Sequence, residues 1–222
     1  QMGVKESCLP DKDDQVIQLI NYNIYIQSSW IKTDISWLKC FYNLVVIDFG
    51  YTDINWELTL LKSFPKLRKI NLYHTQIMGD IAHLIFLPNL TKVGLGETPV
   101  FGDIKHLKNL LYLREINLGN TRVCGNIDSL KSLSKLDSID ITNTNVNGDL
   151  KHIRTLSRLT FLKASGSWIT GNIEYLKSLQ NLFSLNLNNT LVSGNIISLR
   201  DIRELLYLWI INTKDTIILE YL

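Results

Sequence analysis

His83, His106 and His152 stand 23 and then 46 residues apart. Imidazoles in step can share a metal ion, provided further ligands converge on the same point. Asp80 and Asp103 repeat at the same 23-residue interval and offer an acidic column. Asp137 and Asp140 form a carboxylate pair of the kind used in general acid–base work, which needs an enclosing pocket to shift proton affinities. No Gly-x-Ser-x-Gly, His-Glu-x-x-His, P-loop or dinucleotide fingerprint occurs. Duplication of a structural unit explains a recurrent histidine without giving it a task. We expect no catalytic residue, no metal and no cofactor, and read the chain as non-enzymatic.

The interval of 23 governs everything from Asn21 onward. Coils one to nine begin at Asn21, Leu44, Leu67, Leu90, Leu113, Leu136, Leu159, Leu182 and Leu205, without an insertion. Self-similarity at such a period marks a solenoid, which presents an extended surface and seldom a pocket. In coil five, LREINLGNTRVCGNIDSLKSLSK, apolar residues fall at positions 1, 4, 6, 11, 15, 18 and 21. Alternation over positions 4 to 6 predicts a short strand with one face inward. Position 4 runs from Ile24 to Leu208 and position 6 from Ile26 to Ile210. No single coil can bury its apolar row, but stacked coils bury a continuous one.

Three polar columns punctuate each coil. Position 9 is a hydroxyl throughout: Ser29, Thr52, Thr75, Thr98, Thr121, Thr144, Ser167, Thr190 and Thr213. A buried polar group without a partner costs about 1–3 kcal/mol. A hydroxyl at the turn can satisfy the backbone of its own and neighbouring coils, so we place this column inside. Position 13 is glycine from Gly79 to Gly194, for positive φ or for close approach of coils. Position 14 reads Asp80, Asp103, Asn126, Asp149, Asn172 and Asn195, just before apolar residues spaced by three. That pattern caps a short 3₁₀ turn, and capping explains Asn and Asp equally well.

The unit LxxLxLxxTxVxGxIxxLxxLxx resembles the leucine-rich repeat family, in a plant-like subclass marked by Gly-x-Ile after the turn. Two departures stand out. Thr or Ser replaces the usual turn Asn, and the Pro that follows Gly-x-Ile is absent, in a unit one residue shorter. The resemblance implies an α/β solenoid: a right-handed leucine-rich repeat arc with a parallel concave β-sheet. Short 3₁₀ or helical turns would line the convex side of about nine coils, with short second strands near positions 11 to 15. We expect residues 1–20 to be an N-terminal cap segment and residues 21–222 to be the solenoid, its last coil truncated.

The chain has 222 residues, 45% of them hydrophobic, with 23 basic against 21 acidic side chains. One repeat domain fits that core, and the near balance of charge argues against nucleic acid as a partner. No apolar stretch is long enough for membrane insertion. Cys8, Cys40 and Cys124 have no metal-binding spacing. In secreted relatives of the resembled family a cysteine-containing turn precedes the first coil, which implies a Cys8–Cys40 disulfide. Separate thiols are the alternative. Asn89 and Asn188 open glycosylation sequons. These features suit an extracellular or cell-surface site, with the cytoplasm as the alternative.

Outward strand positions are where binding would occur. Coils two to five offer Asp48, Tyr51, Arg68, Lys69, Asn71, Tyr73, His74, Lys92, Glu97, Arg114, Glu115 and Asn117 there. Coils seven to nine offer Phe161, Lys163, Phe183, Asn186, Tyr207 and Trp209. From these we choose Tyr51, Arg68, Lys69, Tyr73, His74, Lys92, Arg114, Phe161, Lys163 and Phe183 as a concave binding face for a protein, peptide or glycan. The ninth coil breaks the pattern, with Leu206, Tyr207, Trp209 and Ile211 outward. That apolar patch favours an alternative: a structural protein joining another copy of itself or a larger complex end to end. Trp30 and Trp168 at position 10, and Trp56 in place of a position-13 glycine, are either edge contacts or gap fillers. A flat hydroxyl array would also suit ice, were the threonine column outward.

Overall fold

The computed structural model describes residues 17–20, 23–26 and 36–214, with side chains from Leu38 onward. The N-terminal segment through residue 16, with Cys8, lies outside the described residues, as do Ser29 and Trp30.

Each coil from the second to the ninth lends positions 3 to 5 to a ten-stranded sheet. Its order is Ile17–Ile20, Asn23–Ile26, Val46–Asp48, Lys69–Asn71, Lys92–Gly94, Glu115–Asn117, Ser138–Asp140, Phe161–Lys163, Ser184–Asn186 and Tyr207–Trp209. The first two strands form an antiparallel pair. All others are parallel and pair residues 23 apart, Ile70 with Val93 and Ile139 with Leu162. The repeat length is thus the sheet register. A second parallel sheet of six strands runs from Gly79–Asp80 to Leu191–Ser193. It pairs Phe101 with Arg122 and Asn147 with Trp168, 21 residues apart, and therefore slants across the coils. Short 3₁₀ turns, such as Ile104–Leu107 and Ile127–Leu130, close the coils on the convex side. The result is a right-handed solenoid.

The core is one continuous cluster down the axis. Ile47, Ile70, Val93, Ile139, Leu162 and Leu185 of position 4 are 0% exposed, as are Phe49, Leu72, Leu95, Leu118 and Ile141 of position 6. Only in coil nine do Leu205, Leu208 and Ile210 become partly buried.

The punctuating columns have simple causes. The position-9 hydroxyls of coils two to eight are buried and donate to the position-6 carbonyl of their own coil, at 2.7 Å for Thr52, Thr75 and Thr144. Bonding is thus local, not across coils as the sequence also allowed. With the column buried, no hydroxyl array faces ice. Every position-14 Asx accepts from the backbone N–H two residues on, Lys105 to Asp103 at 2.8 Å for example. Position-13 glycines combine φ of 101–123° with a close approach: from Gly102 to Gly194 each lies against the capping oxygen of the preceding coil, and Gly79 against the Leu58 backbone N. In coil two Trp56 replaces that glycine and is buried in the core, which makes it a filler and not an edge contact. Glu57 there makes no side-chain cap.

Candidate functional site

The chain leaves the concave strand through a left-handed residue at position 8 in every described coil from the second onward. Asn120, Asn143, Gly166, Asn189 and Asn212 fill it in coils five to nine, with φ of 52–67°. These are the residue types that tolerate this backbone. Coils two to four instead carry Tyr51, His74 and Glu97 at φ of 62°, 53° and 57°. A left-handed backbone at such residues costs about 1–2 kcal/mol each. Strain of this kind persists where neighbours hold it, and it gathers at functional sites.

Here the neighbours are one another. The Tyr51 ring lies 5.2 Å from that of Tyr73 and 5.7 Å from that of His74, between centroids. The Tyr73 hydroxyl donates a short bond to Glu97 Oε1, and His74 Nδ1 lies 2.8 Å from Glu97 Oε2. The bond to Glu97, then burial, pushes the Tyr73 phenol up to about 12. The same hydroxyl, with His74, holds the Glu97 carboxyl below its ordinary value.

Beside this cluster the concave face opens into a groove of about 480 Å³. Position 5 forms its floor. Asn71, Asn117 and Asp140 each turn a side-chain oxygen to the N–H two residues on, at 3.4, 3.2 and 3.0 Å. Gly94 interrupts that row and leaves the hollow. A β-carbon on Gly96 would fall 2.5 Å from Asn117 Oδ1 and 3.1 Å from Tyr73 Cδ2, so this glycine lets the Tyr73 ring lie across coil four. The walls carry matched charges: Lys92 to Glu115 at 2.6 Å and Lys163 to Asp140 at 3.9 Å.

Of the residues chosen from sequence, the groove gathers Tyr51, Tyr73, Lys92, Phe161 and Lys163. His74 stands on its rim, facing a neighbouring hollow with Glu97, Asn120 and Arg122. Arg68 and Lys69 are exposed outside it, and their side chains have no partner among the described residues. Arg114 reaches Asp137 at 3.8 Å on the opposite edge, where Arg158 also pairs with Asp137 at 3.0 Å. Phe183 lines a separate hollow with Asp137, Arg158 and Glu204. Sequence reasoning missed Gly94 and Gly96 as makers of space. The gap at Gly94 in an Asn/Asp column was the available signal.

A row of rings crosses the far end of the face. Phe161, Phe183 and Tyr207 meet edge to face, at 5.7 and 5.3 Å, and Tyr207 stacks on Trp209 at 5.7 Å. Leu206 and Ile211 flank it, exposed. Trp168 is exposed on the second sheet. Asn89 is exposed, whereas Asn188 is half-buried and accepts from the Ile211 N–H at 2.7 Å. Cys40 is exposed on the convex side, and its suggested partner Cys8 lies outside the described residues. His152 Nδ1 sits 3.0 Å from Asp128, whose carboxyl is held low chiefly by Lys131. Among the described residues no three His, Cys, Asp or Glu side chains converge as metal ligands, and no helix is long and apolar enough to cross a membrane.

No protein-family model and no curated protein sequence matches the chain. Many solved structures do share its shape. An internalin C2 of Listeria monocytogenes is 25% identical, with 85% of this chain and 80% of that one covered and a TM-score of 0.71. An internalin (inlF) of the same bacterium is 22% identical over 82% of this chain and 52% of that one, at 0.69. The Arabidopsis receptor kinase HAESA, solved with the peptide hormone IDA and the co-receptor SERK1, is 24% identical over 77% of this chain, at 0.67. The chain spans only 29% of that receptor structure and about half of the inlF one. The fold of this protein is the leucine-rich repeat solenoid.

Proposed function

We propose that this protein is a recognition module that binds a peptide or protein segment along its concave face. The observation that carries this reading is the strained cluster of Tyr51, His74 and Glu97 beside the open groove. Among the described residues of that column, local backbone preference is overridden there and nowhere else, the pattern expected of a functional surface. The HAESA structure contains a peptide hormone, and that of the receptor RGFR1 contains RGF2, which fits the same mode of use. Arg68, Lys69 and Arg114 are then contacts beyond the groove, and Phe161 and Phe183 apolar anchors.

Subsidiary proposals follow the resemblance. The 23-residue unit with Thr or Ser at the turn is a variant of the plant-like subclass. Residues 1–20 cap the first of nine coils in a domain running through residue 222. The protein works outside the cell or on its surface, with Cys8 bonded to Cys40 and glycans on Asn89 and Asn188.

Selection of a random peptide library on the immobilised protein tests the main reading. Selected peptides are expected to lose about tenfold or more in affinity on Tyr51→Ala or Phe161→Ala, and nothing on Trp168→Ala. Binding indifferent to both concave changes would defeat it. The exposed row of Leu206, Tyr207, Trp209 and Ile211 favours a second reading, assembly through the ninth coil. Native mass spectrometry should then show a multimer that Tyr207→Ser and Trp209→Ser dissolve.

A further inference from the structure

We infer that the rim formed by coils two to four is a cation-binding subsite, in which the rings of Tyr51 and Tyr73 and the carboxylate of Glu97 receive a guanidinium or ammonium side chain of the bound peptide. This inference rests on the concave-face reading and names the chemistry of one of its contacts.

Three observations carry it. The carboxylate is aimed: Tyr73 holds one oxygen and His74 the other, which leaves further lone pairs of each oxygen free for a ligand. Among the described residues no Lys or Arg lies within ion-pair distance of it. One ring is open: Tyr51 is 69% exposed, tilted 58° to the half-buried ring of Tyr73. Two inclined aromatic faces beside an anion are the arrangement that binds cations, planar guanidinium above all. The third observation is the backbone. Asn or Gly would relieve the left-handed strain at these positions, as in coils five to nine, yet Tyr, His and Glu stand there together.

The charge map agrees. Glu97 is the carboxylate of the neighbouring hollow, and the cation that lines it, Arg122, forms no ion pair with Glu97. The basic residues Arg68, Lys69 and Lys92 stand at the opposite ends of their strands. Lys92, which lines the groove with Tyr51 and Tyr73, is paired with Glu115 at 2.6 Å, and Lys163 with Asp140 at 3.9 Å. A basic side chain entering at Tyr51 therefore meets aromatic rings beside a carboxylate that no Lys or Arg among the described residues neutralises.

The test uses the full chain with labelled tyrosine rings, followed by NMR. N-acetyl-arginine amide is titrated against its neutral isostere, N-acetyl-citrulline amide. The arginine probe is expected to move the Tyr51 and Tyr73 ring signals saturably, with citrulline about tenfold weaker. Glu97→Gln should weaken the arginine probe by about the same factor, and Trp168→Ala, on the second sheet, should leave it unchanged. Equal response to both probes, or none at these rings, overturns the subsite. Library peptides that still bind the groove in that event would leave the broader reading standing.

Discussion

Asp80 Oδ1 stands 2.1 Å from the point that a β-carbon on Gly102 would occupy. The same oxygen accepts from the Ala82 N–H at 2.7 Å and so caps the next turn. One atom therefore ties two sequence columns together: the cap of one coil dictates the glycine of the next. Gly102→Ala should destabilise the protein by about 2–4 kcal/mol, from a φ of 118° closed to alanine and from displacement of the cap. Urea unfolding measures the loss. Adding Asp80→Ala should recover only the steric part, so the double-variant cycle should show a smaller loss than the two single losses summed.

Thr121 offers a cleaner probe of the buried hydroxyls. Its Oγ1 donates to the Leu118 carbonyl at 2.6 Å inside the turn. Thr121→Val keeps the shape and removes the donor. The expected loss is about 1–2 kcal/mol in urea unfolding, because the carbonyl stays buried without a partner. A neutral result would mean that water reaches the turn.

Function and stability should pull apart at position 8. Glu97→Asn puts a residue suited to left-handed backbone next to Asn120. Relief of about 1–2 kcal/mol of backbone strain should be offset by loss of the Tyr73 and His74 contacts, so stability should change little while response to the arginine probe is abolished. A variant that loses both would point to Glu97 as a structural residue.

The Tyr73–Glu97 bond gives a pH signature. The Tyr73 phenol is raised from 10.0 to about 12, so its stabilising contribution is complete below pH 10.0 and is lost as pH climbs through 12. Glu97 is displaced the other way, below 4.5, so its contribution holds above that value and fades as pH falls through its lowered one. Ultraviolet titration should find one late phenolate. Glu97→Gln should bring that titration back toward 10.0.

Much of this architecture was written in the repeat. The apolar rows at positions 4 and 6 and the Asx caps all follow from periodicity and local chemistry. The site was legible only in part, because a ladder of outward residues looks alike from every coil. What singles out Tyr51, His74 and Glu97 is a backbone sign; the sequence reading chose Tyr51 and His74 for the binding face on residue type alone and took Glu97 merely as an outward residue. The run of Asn120, Asn143, Gly166 and Asn189 in the same column carried that sign in plain view. Gly94 was harder, since an absent side chain becomes a hollow only when its neighbours are placed.

Register and repeat length are the same number here, so the solenoid is also a gauge. Four strand spacings, about 19 Å, separate the coil of Tyr73 from that of Phe161. Excising residues 113–135 would rejoin Tyr112 to Leu136 in phase and draw the two ends of the face together by about 4.8 Å. A ligand that touches both would then have to be shorter by about one and a half extended residues. Length selectivity in such a molecule would be set by counting coils, and a gene could adjust it by losing or copying one.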